Sequence, residues 1–238
     1  MNDDRVRVVI PCLFTAVIGF TFFNLLAWGV LRESKLLRAN GVEAPRENAL
    51  TRADQHVAAS VHEYREENAG FDPCFNGLTR LGEGEVLFGL TGVVFLVLLW
   101  RRRLVLAVLG PVAALGAGVV NEWIKDFFQR PRQMFATSKS FSFPSGHSMR
   151  AFVCFGLLAY VLVGILPRRS WRWSAVLTLG AAALAVSVSR VYLNQHYCSD
   201  VLGSISFGAG WLALWIGAWE WTGAGFTKNP SRAPHAEV

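Results

Sequence analysis

Long apolar runs separated by short polar breaks dominate this chain. The first, Val8–Leu31, is 24 residues without a charge. At 1.5 Å per residue it can cross a hydrocarbon core of about 30 Å. It follows Asp3 and Asp4 and ends without an A-x-A site, so it reads as a span and not as a cleaved signal peptide. Further runs cover Val86–Trp100, Leu104–Ile124, Ala151–Leu166, Trp171–Val188 and Val201–Trp219. Several have apolar centres shorter than the roughly 20 residues a span requires, so they borrow flanking residues or tilt. The pattern predicts an all-α, polytopic membrane protein with six transmembrane helices. Between the first and second spans, Thr51–Glu67 reads as one more helix. Val57, Val61 and Tyr64 recur at helical spacing, while Glu63, Arg65, Glu66 and Glu67 supply a polar face. Thr51 followed by Asp54 resembles a capping arrangement. This helix is either a surface helix lying on the membrane or over the bundle, or a simple connector.

Composition supports the membrane reading. Of 238 residues, 53% are hydrophobic and only 17% charged, against roughly 25% charged in a typical globular chain. That excludes a soluble two-domain chain and an intrinsically disordered one. The net charge of +6 would point to nucleic acid in a soluble protein. Here Arg5 and Arg7, Arg101–Arg103, Arg168, Arg169 and Arg172, and Lys228 and Arg232 fall at alternate ends of the spans. The positive-inside rule places these clusters and both termini on the cytoplasmic side. Residues 32–85 then face outward with seven basic and ten acidic residues, a net of −3. Residues 1–226 form a single membrane-embedded domain, and 227–238 are expected to be a disordered cytoplasmic tail. One outward segment breaks the charge rule. Residues 125–150 carry Lys125, Arg130, Arg132, Lys139 and Arg150, so these cations need a reason other than topology.

Three segments on that outward side hold the chemistry: Lys125–Arg132, Phe143–Ser148 and Ser189–Asp200. Lys125, Arg132 and Arg190 are costly to place together near lipid unless an anion joins them. Pro144-Ser145-Gly146-His147 opens an apolar run, so its free backbone N–H groups and helix dipole offer an anion site. Gly146 lets the backbone approach closely and Ser145 adds a hydroxyl donor. The natural ligand is phosphate. His196 and Asp200 are four apart, so Asp200 can accept from one ring nitrogen and leave the other as nucleophile. His147 remains as a general acid for the leaving oxygen.

Together these segments resemble the signature of the type 2 phosphatidic acid phosphatase superfamily, which includes integral-membrane lipid phosphatases. The first motif is Lys, six residues, then Arg-Pro; Lys125 to Arg132 keeps the spacing, with Gln133 in place of the proline. The second, PSGH, stands at 144–147, and Ser189, Arg190, His196 and Asp200 match the third without a gap. Spacing favours Arg132 over Arg130 as the phosphate ligand, because seven residues return to the same helix face. The resemblance implies a metal-independent lipid phosphatase without a cofactor. His196 would form a phosphohistidine, oriented by Asp200. His147 would protonate the leaving oxygen and then activate water. Lys125, Arg132, Arg190, Ser145 and the Gly146 N–H would hold the equatorial oxygens. The substrate would be a membrane lipid phosphate: polyprenyl pyrophosphate, phosphatidylglycerophosphate, phosphatidate or a lipid A phosphate. Nucleic acid is not an expected partner.

Two other functions compete. A lipid phosphotransferase would pass the phosphoryl group to another lipid, and a non-catalytic anion-binding or transport protein would use the cations alone. The nucleophile–acid pair argues against the latter. Among the remaining side chains, Glu122 is expected to pair with Lys125. His56, His62 and His235 lack any ligand or triad spacing. Cys12 and Cys154 read as apolar fillers, and Cys74 and Cys198 both face outward, where a disulfide between them is conceivable in the periplasm.

Overall fold

The computed structural model describes residues 3–40 and 48–226, and among these the secondary structure is entirely helical. The elements are α1 (Asp3–Asn40), α2 (Ala49–Glu67), a 3-10 turn (Ala69–Phe71), α3 (Asp72–Arg80), α4 (Gly84–Trp100), α5 (Leu104–Phe128), α6 (Gly146–Ile165), α7 (Arg169–Tyr192) and α8 (Cys198–Thr222). Helices α1, α5, α6, α7 and α8 are each long and apolar enough to cross a membrane. The 17 residues of α4 are short for a span, as the run Val86–Trp100 implied. Ala69–Arg80 and Gly84–Trp100 together form a sixth candidate, bent by 41° at the break. The tail at 227–238, with His235, lies outside the described residues.

Helix α6 is the centre of the bundle, packed against α4, α5, α7 and α8, while α8 also lies along α1. The α1–α8 contact is made close by glycine. A Cβ on Gly19 would sit 2.6 Å from the Ser206 carbonyl oxygen and 2.9 Å from the Gly210 nitrogen. In lipid, where apolar surface gains little by leaving the solvent, such backbone approach supplies the packing that joins helices. Deeper in the bundle, Leu98, Leu106, Ala113, Val153 and Val186 form a buried apolar layer. A second cluster of Phe23, Phe128, Phe143, Met149 and Phe207 lies where α1, α5, α6 and α8 meet the loop before α6. Phe143 is fully buried there, between Phe23 at 5.7 Å and Phe128 at 5.2 Å between ring centroids. This aromatic floor holds the loop that carries Pro144 to His147.

Helix α2 packs over the bundle, against α1, α7 and α8, so it is more than a connector. Its details differ from the sequence reading in two respects. Asn48 is the N-cap, its side chain accepting from the Thr51 N–H at 2.9 Å, so Thr51 lies inside the first turn. The buried face carries Thr51, Asp54 and Ala58, whereas Val57 and Tyr64 are exposed. A polar face is turned inward because it meets an arginine and a serine, described below. All four cysteines are free thiols; Cys154 is buried, Cys74 exposed, and Cys12 and Cys198 half-buried.

The α1–α8 contact yields a prediction. Gly19→Leu should lower the thermal midpoint of the detergent-solubilised protein by an amount corresponding to about 1–3 kcal/mol, the usual cost of overpacking. Gly89→Ala in α4, where a Cβ meets nothing within 4 Å, should change stability by no more than about 1 kcal/mol. Equal behaviour of the two variants would contradict close α1–α8 packing.

Candidate active site

The C-terminal ends of α5 and α7 and the N-terminal ends of α6 and α8 meet at one end of the bundle, under α2 and α3. Helix α5 stops because Gln129 takes the left-handed conformation (φ 47°) and donates its N–H to the Lys125 carbonyl. Arg132 therefore lies in the following loop and not on a helical face shared with Lys125. The end of α5 corrects the helical rationale for the seven-residue spacing, while the loop still brings Arg132 beside His196.

Arg132 is held from both sides. Its Nε and Nη2 donate to the Ser140 carbonyl and hydroxyl at 2.8 and 2.9 Å, and Nη1 donates to the Gln195 carbonyl at 2.6 Å. The same Nη1 lies 3.1 Å from Nε2 of His196. On the other edge of that ring, Nδ1 is 3.4 Å from Oδ2 of Asp200. A guanidinium only donates, so Nε2 must present its lone pair and Nδ1 carries the proton toward the carboxylate. Burial, with Arg132 and Arg190 nearby, outweighs Asp200 and pulls the His196 imidazolium down to about 4. Burial likewise draws the Arg132 guanidinium below its ordinary value, against the opposing charges of Asp200 and Glu122.

Asp200 is fully buried in the first turn of α8. Its Oδ2 accepts from the Ser142 hydroxyl and from the Tyr197 N–H at 3.0 Å. Its Oδ1 accepts from Arg130 Nη1 at 2.7 Å. Arg130, also fully buried, uses Nη2 to reach Asp54 Oδ2 on α2 at 2.8 Å and lies 4.4 Å over the Tyr197 ring. Asp54 is itself fixed by the Ser199 N–H at 3.0 Å and by the Ser199 hydroxyl. One arginine thus bridges two buried carboxylates from different helices. Removing one partner of such an arrangement typically costs about 3–5 kcal/mol.

The remaining cations line the site. Arg190, from the last turn of α7, donates through Nη1 to Thr79 of α3 at 2.8 Å, and its Nε is buried without a hydrogen-bond partner. Lys125 is buried, with Nζ 2.9 Å from Glu122, as the spacing implied. Ser145 is the N-cap of α6, and no side chain caps that terminus, so the first-turn N–H groups can meet an anion. The Ser145 hydroxyl accepts from Ser148 at 3.0 Å. At Gly146 the packing leaves little room: a Cβ would lie 3.1 Å from Asn121 Oδ1, 3.4 Å from Lys125 Nζ and 3.8 Å from Arg150 Nη2. His147 follows, half-buried, within electrostatic reach of Arg190, Arg150, His196 and Lys125. A nucleophile-competent imidazole, a second histidine and converging cations make an arrangement suited to phosphoryl transfer.

Comparison with known proteins gives the same direction. A family model described as the PAP2 superfamily matches residues 104–223, about half of the chain. The chain belongs to the PAP2 superfamily. It is 35% identical over 170 residues to phosphatidylglycerophosphatase B of Bacillus subtilis (strain 168), spanning 68% of this chain and 80% of that protein. It is also similar to a crystal structure described as the first transmembrane PAP2 type phosphatidylglycerolphosphate phosphatase from Bacillus subtilis. That match has a TM-score of 0.70 at 29% identity, covering 84% of this chain and 94% of the other. As a PAP2 member the protein is a multi-pass membrane hydrolase of phosphoric monoesters acting on lipids.

The PAP2 motif residues expected from the sequence, Lys125, Arg132, Ser145, Gly146, His147, Arg190, His196 and Asp200, gather at this one end of the bundle. Three others were not singled out: Asp54, Asn121 and Arg130 in its bridging role. Asn121 lies one helical turn before Lys125 and is almost wholly buried, with neither side-chain polar atom hydrogen-bonded. That spacing was available as a signal. Asp54 had none, because its partners are 76 and 145 residues away. His62 stacks on Phe135 at 3.6 Å between centroids and takes no part in the site.

The His196 environment predicts its titration. A ring whose charged form is disfavoured takes up a proton only as pH falls through about 4, so it stays neutral from pH 5 to 8. Labelled-histidine NMR in micelles, with His196→Gln to assign the resonance, should show that low midpoint. A midpoint at or above the ordinary histidine value of about 6.5 would contradict the described surroundings.

Proposed function

We propose that this PAP2 protein hydrolyses a membrane lipid phosphate through a phosphohistidine at His196. The observation that carries the proposal is the setting of the His196 ring, with Nδ1 toward Asp200 and Nε2 3.1 Å from the Arg132 guanidinium. A phosphate bound to Arg132 brings its phosphorus to the Nε2 lone pair. Nε2 attacks in line, the bond from phosphorus to the lipid oxygen breaks, and His147 gives its proton to that oxygen. Asp200 stabilises the charge that appears on the imidazole. Water, deprotonated by His147, then attacks phosphorus, breaks the P–N bond and releases inorganic phosphate. Arg132, Arg190, Lys125, Ser145 and the Gly146 N–H bind the equatorial oxygens and offset charge in both transition states. These cations make a metal ion unnecessary in this scheme.

Phosphatidylglycerophosphate is the first substrate to test, by similarity to the Bacillus subtilis relatives. Polyprenyl pyrophosphate, phosphatidate and lipid A phosphate carry the same reactive group. We further propose that residues 1–226 act as one membrane-embedded domain in a bacterial inner membrane. In this reading both termini lie in the cytoplasm and the site faces outward, supported by the basic clusters at Arg5 and Arg7, Arg101–Arg103, and Arg168, Arg169 and Arg172.

His196→Ala should reduce phosphate release from the active lipid by about 10³-fold or more, the scale of losing a covalent nucleophile, with an unchanged thermal midpoint. Activity should persist in EDTA and be inhibited by vanadate. Wild-type activity in His196→Ala, or a strict Mg²⁺ requirement, would overturn the mechanism. Labelled phosphate appearing on a second lipid in place of free phosphate would convert the hydrolase into a phosphotransferase.

A further inference from the structure

Resting on the phosphatase reading above, we infer that Arg150 and Asn121 form a subsite for a second phosphate group, on the membrane side of the one removed. Arg150 lies four residues after Gly146 on α6, one turn further into the span and on the same face. Its aliphatic stem runs along α5, with Cδ 3.8 Å from where a Cβ on Gly118 would be, and Nη2 turns back toward Gly146. Its Nε is buried and has no hydrogen-bond partner. Asn121, 1% exposed, brings its amide to the same point above Gly146, with the oxygen nearest, and neither its nitrogen nor its oxygen is hydrogen-bonded. An arginine within a membrane span is costly and calls for a counter-charge. The nearby carboxylate, Glu122, is engaged with Lys125 at 2.9 Å.

A largely apolar space opens beside Arg150. A cavity of about 370 Å³ between α4, α5 and α6 is lined by Arg150 and Glu122, and by Leu87, Phe88, Leu115 and Val119. Arg150 therefore borders both an apolar groove and the Gly146 end of the site. A lipid whose chain lies in that groove and whose terminal phosphate reaches His196 must pass Arg150. If it carries a second phosphate between chain and terminus, that group meets the Arg150 guanidinium and the Asn121 amide. Two lipid classes have this chemistry: a phosphodiester-linked headgroup ending in a phosphomonoester, and a prenyl diphosphate. Phosphatidate, with a single phosphate, leaves the subsite unfilled. The arrangement selects two-phosphate lipids over one-phosphate lipids.

The test uses the purified full-length protein in detergent, with phosphatidylglycerophosphate, a polyprenyl diphosphate and phosphatidate as parallel substrates. Arg150→Gln should lower kcat/KM on one or both two-phosphate lipids about 10–100-fold more than on phosphatidate, the scale of losing a charge-assisted hydrogen bond. Arg150→Lys, which keeps the charge, should recover part of the difference. Comparing substrates on the same preparation cancels any loss of folded protein. A response to only one of the two-phosphate lipids identifies which spacing of phosphates the subsite accepts. Equal losses on all three lipids, or no loss on any, would overturn the subsite while leaving the phosphatase reading intact. If wild-type protein released phosphate from none of them, the phosphatase reading would fail and the subsite with it.

Discussion

Arg130 lies wholly within the protein between Asp54 of α2 and Asp200 of α8, and the rest of the site depends on that bridge. A buried guanidinium is costly without opposing charge, and here two carboxylates and the Ser199 hydroxyl accept from its two terminal nitrogens. The consequence is positional. Asp200 cannot turn without abandoning Arg130, so its second oxygen stays directed at the His196 ring. Asp54 cannot leave without exposing the same charge, so α2 remains seated over the bundle. Three separate parts of the chain, α2, the loop after α5 and the start of α8, are tied through one side chain.

This arrangement divides the cations into two kinds. Arg130 is neutralised within the protein and holds other groups in place. Lys125, Arg132, Arg150 and Arg190 surround a common space, and their combined positive field is balanced only in part, by Glu122 and Asp200. An anion entering that space relieves their mutual repulsion, so the field that makes the empty site costly also drives binding. Burial, with that field added, keeps His196 neutral, although the ring is beside a carboxylate. Fold stability and reactivity draw on the same charges, with the glycines at positions 19 and 146 allowing the close approaches that each needs.

Much of this was legible in the chain itself. Apolar runs gave the helices because a span must satisfy its backbone internally, and only α4 fell short, forming a sixth candidate span together with its bent neighbour. Most of the motif residues lie at or next to helix ends, with Arg132 and His196 in the adjoining loops, so their short local patterns stand out between the apolar runs. Arg132 was favoured over Arg130 for a helical reason that Gln129 removes by ending α5, yet the loop still places Arg132 beside His196. What sequence could not give was the inward face of α2. Val57 and Tyr64 marked an apolar stripe, but the buried stripe is Thr51, Asp54 and Ala58, since its partners are polar. Periodicity detects burial against lipid or core; it does not detect burial against an arginine contributed from 76 residues away.

The central claim is that this network aims Nε2 of His196, and no other atom, at phosphorus. Its most direct measurement is rapid acid-free quenching of the protein during turnover of ³²P-labelled lipid, followed by peptide mapping and NMR identification of the phosphorylated nitrogen. The account predicts a phosphoramidate on His196 at Nε2, formed and lost at rates that support turnover. Phosphate on Nδ1, on another residue, or on no residue at a time when product is forming would contradict it.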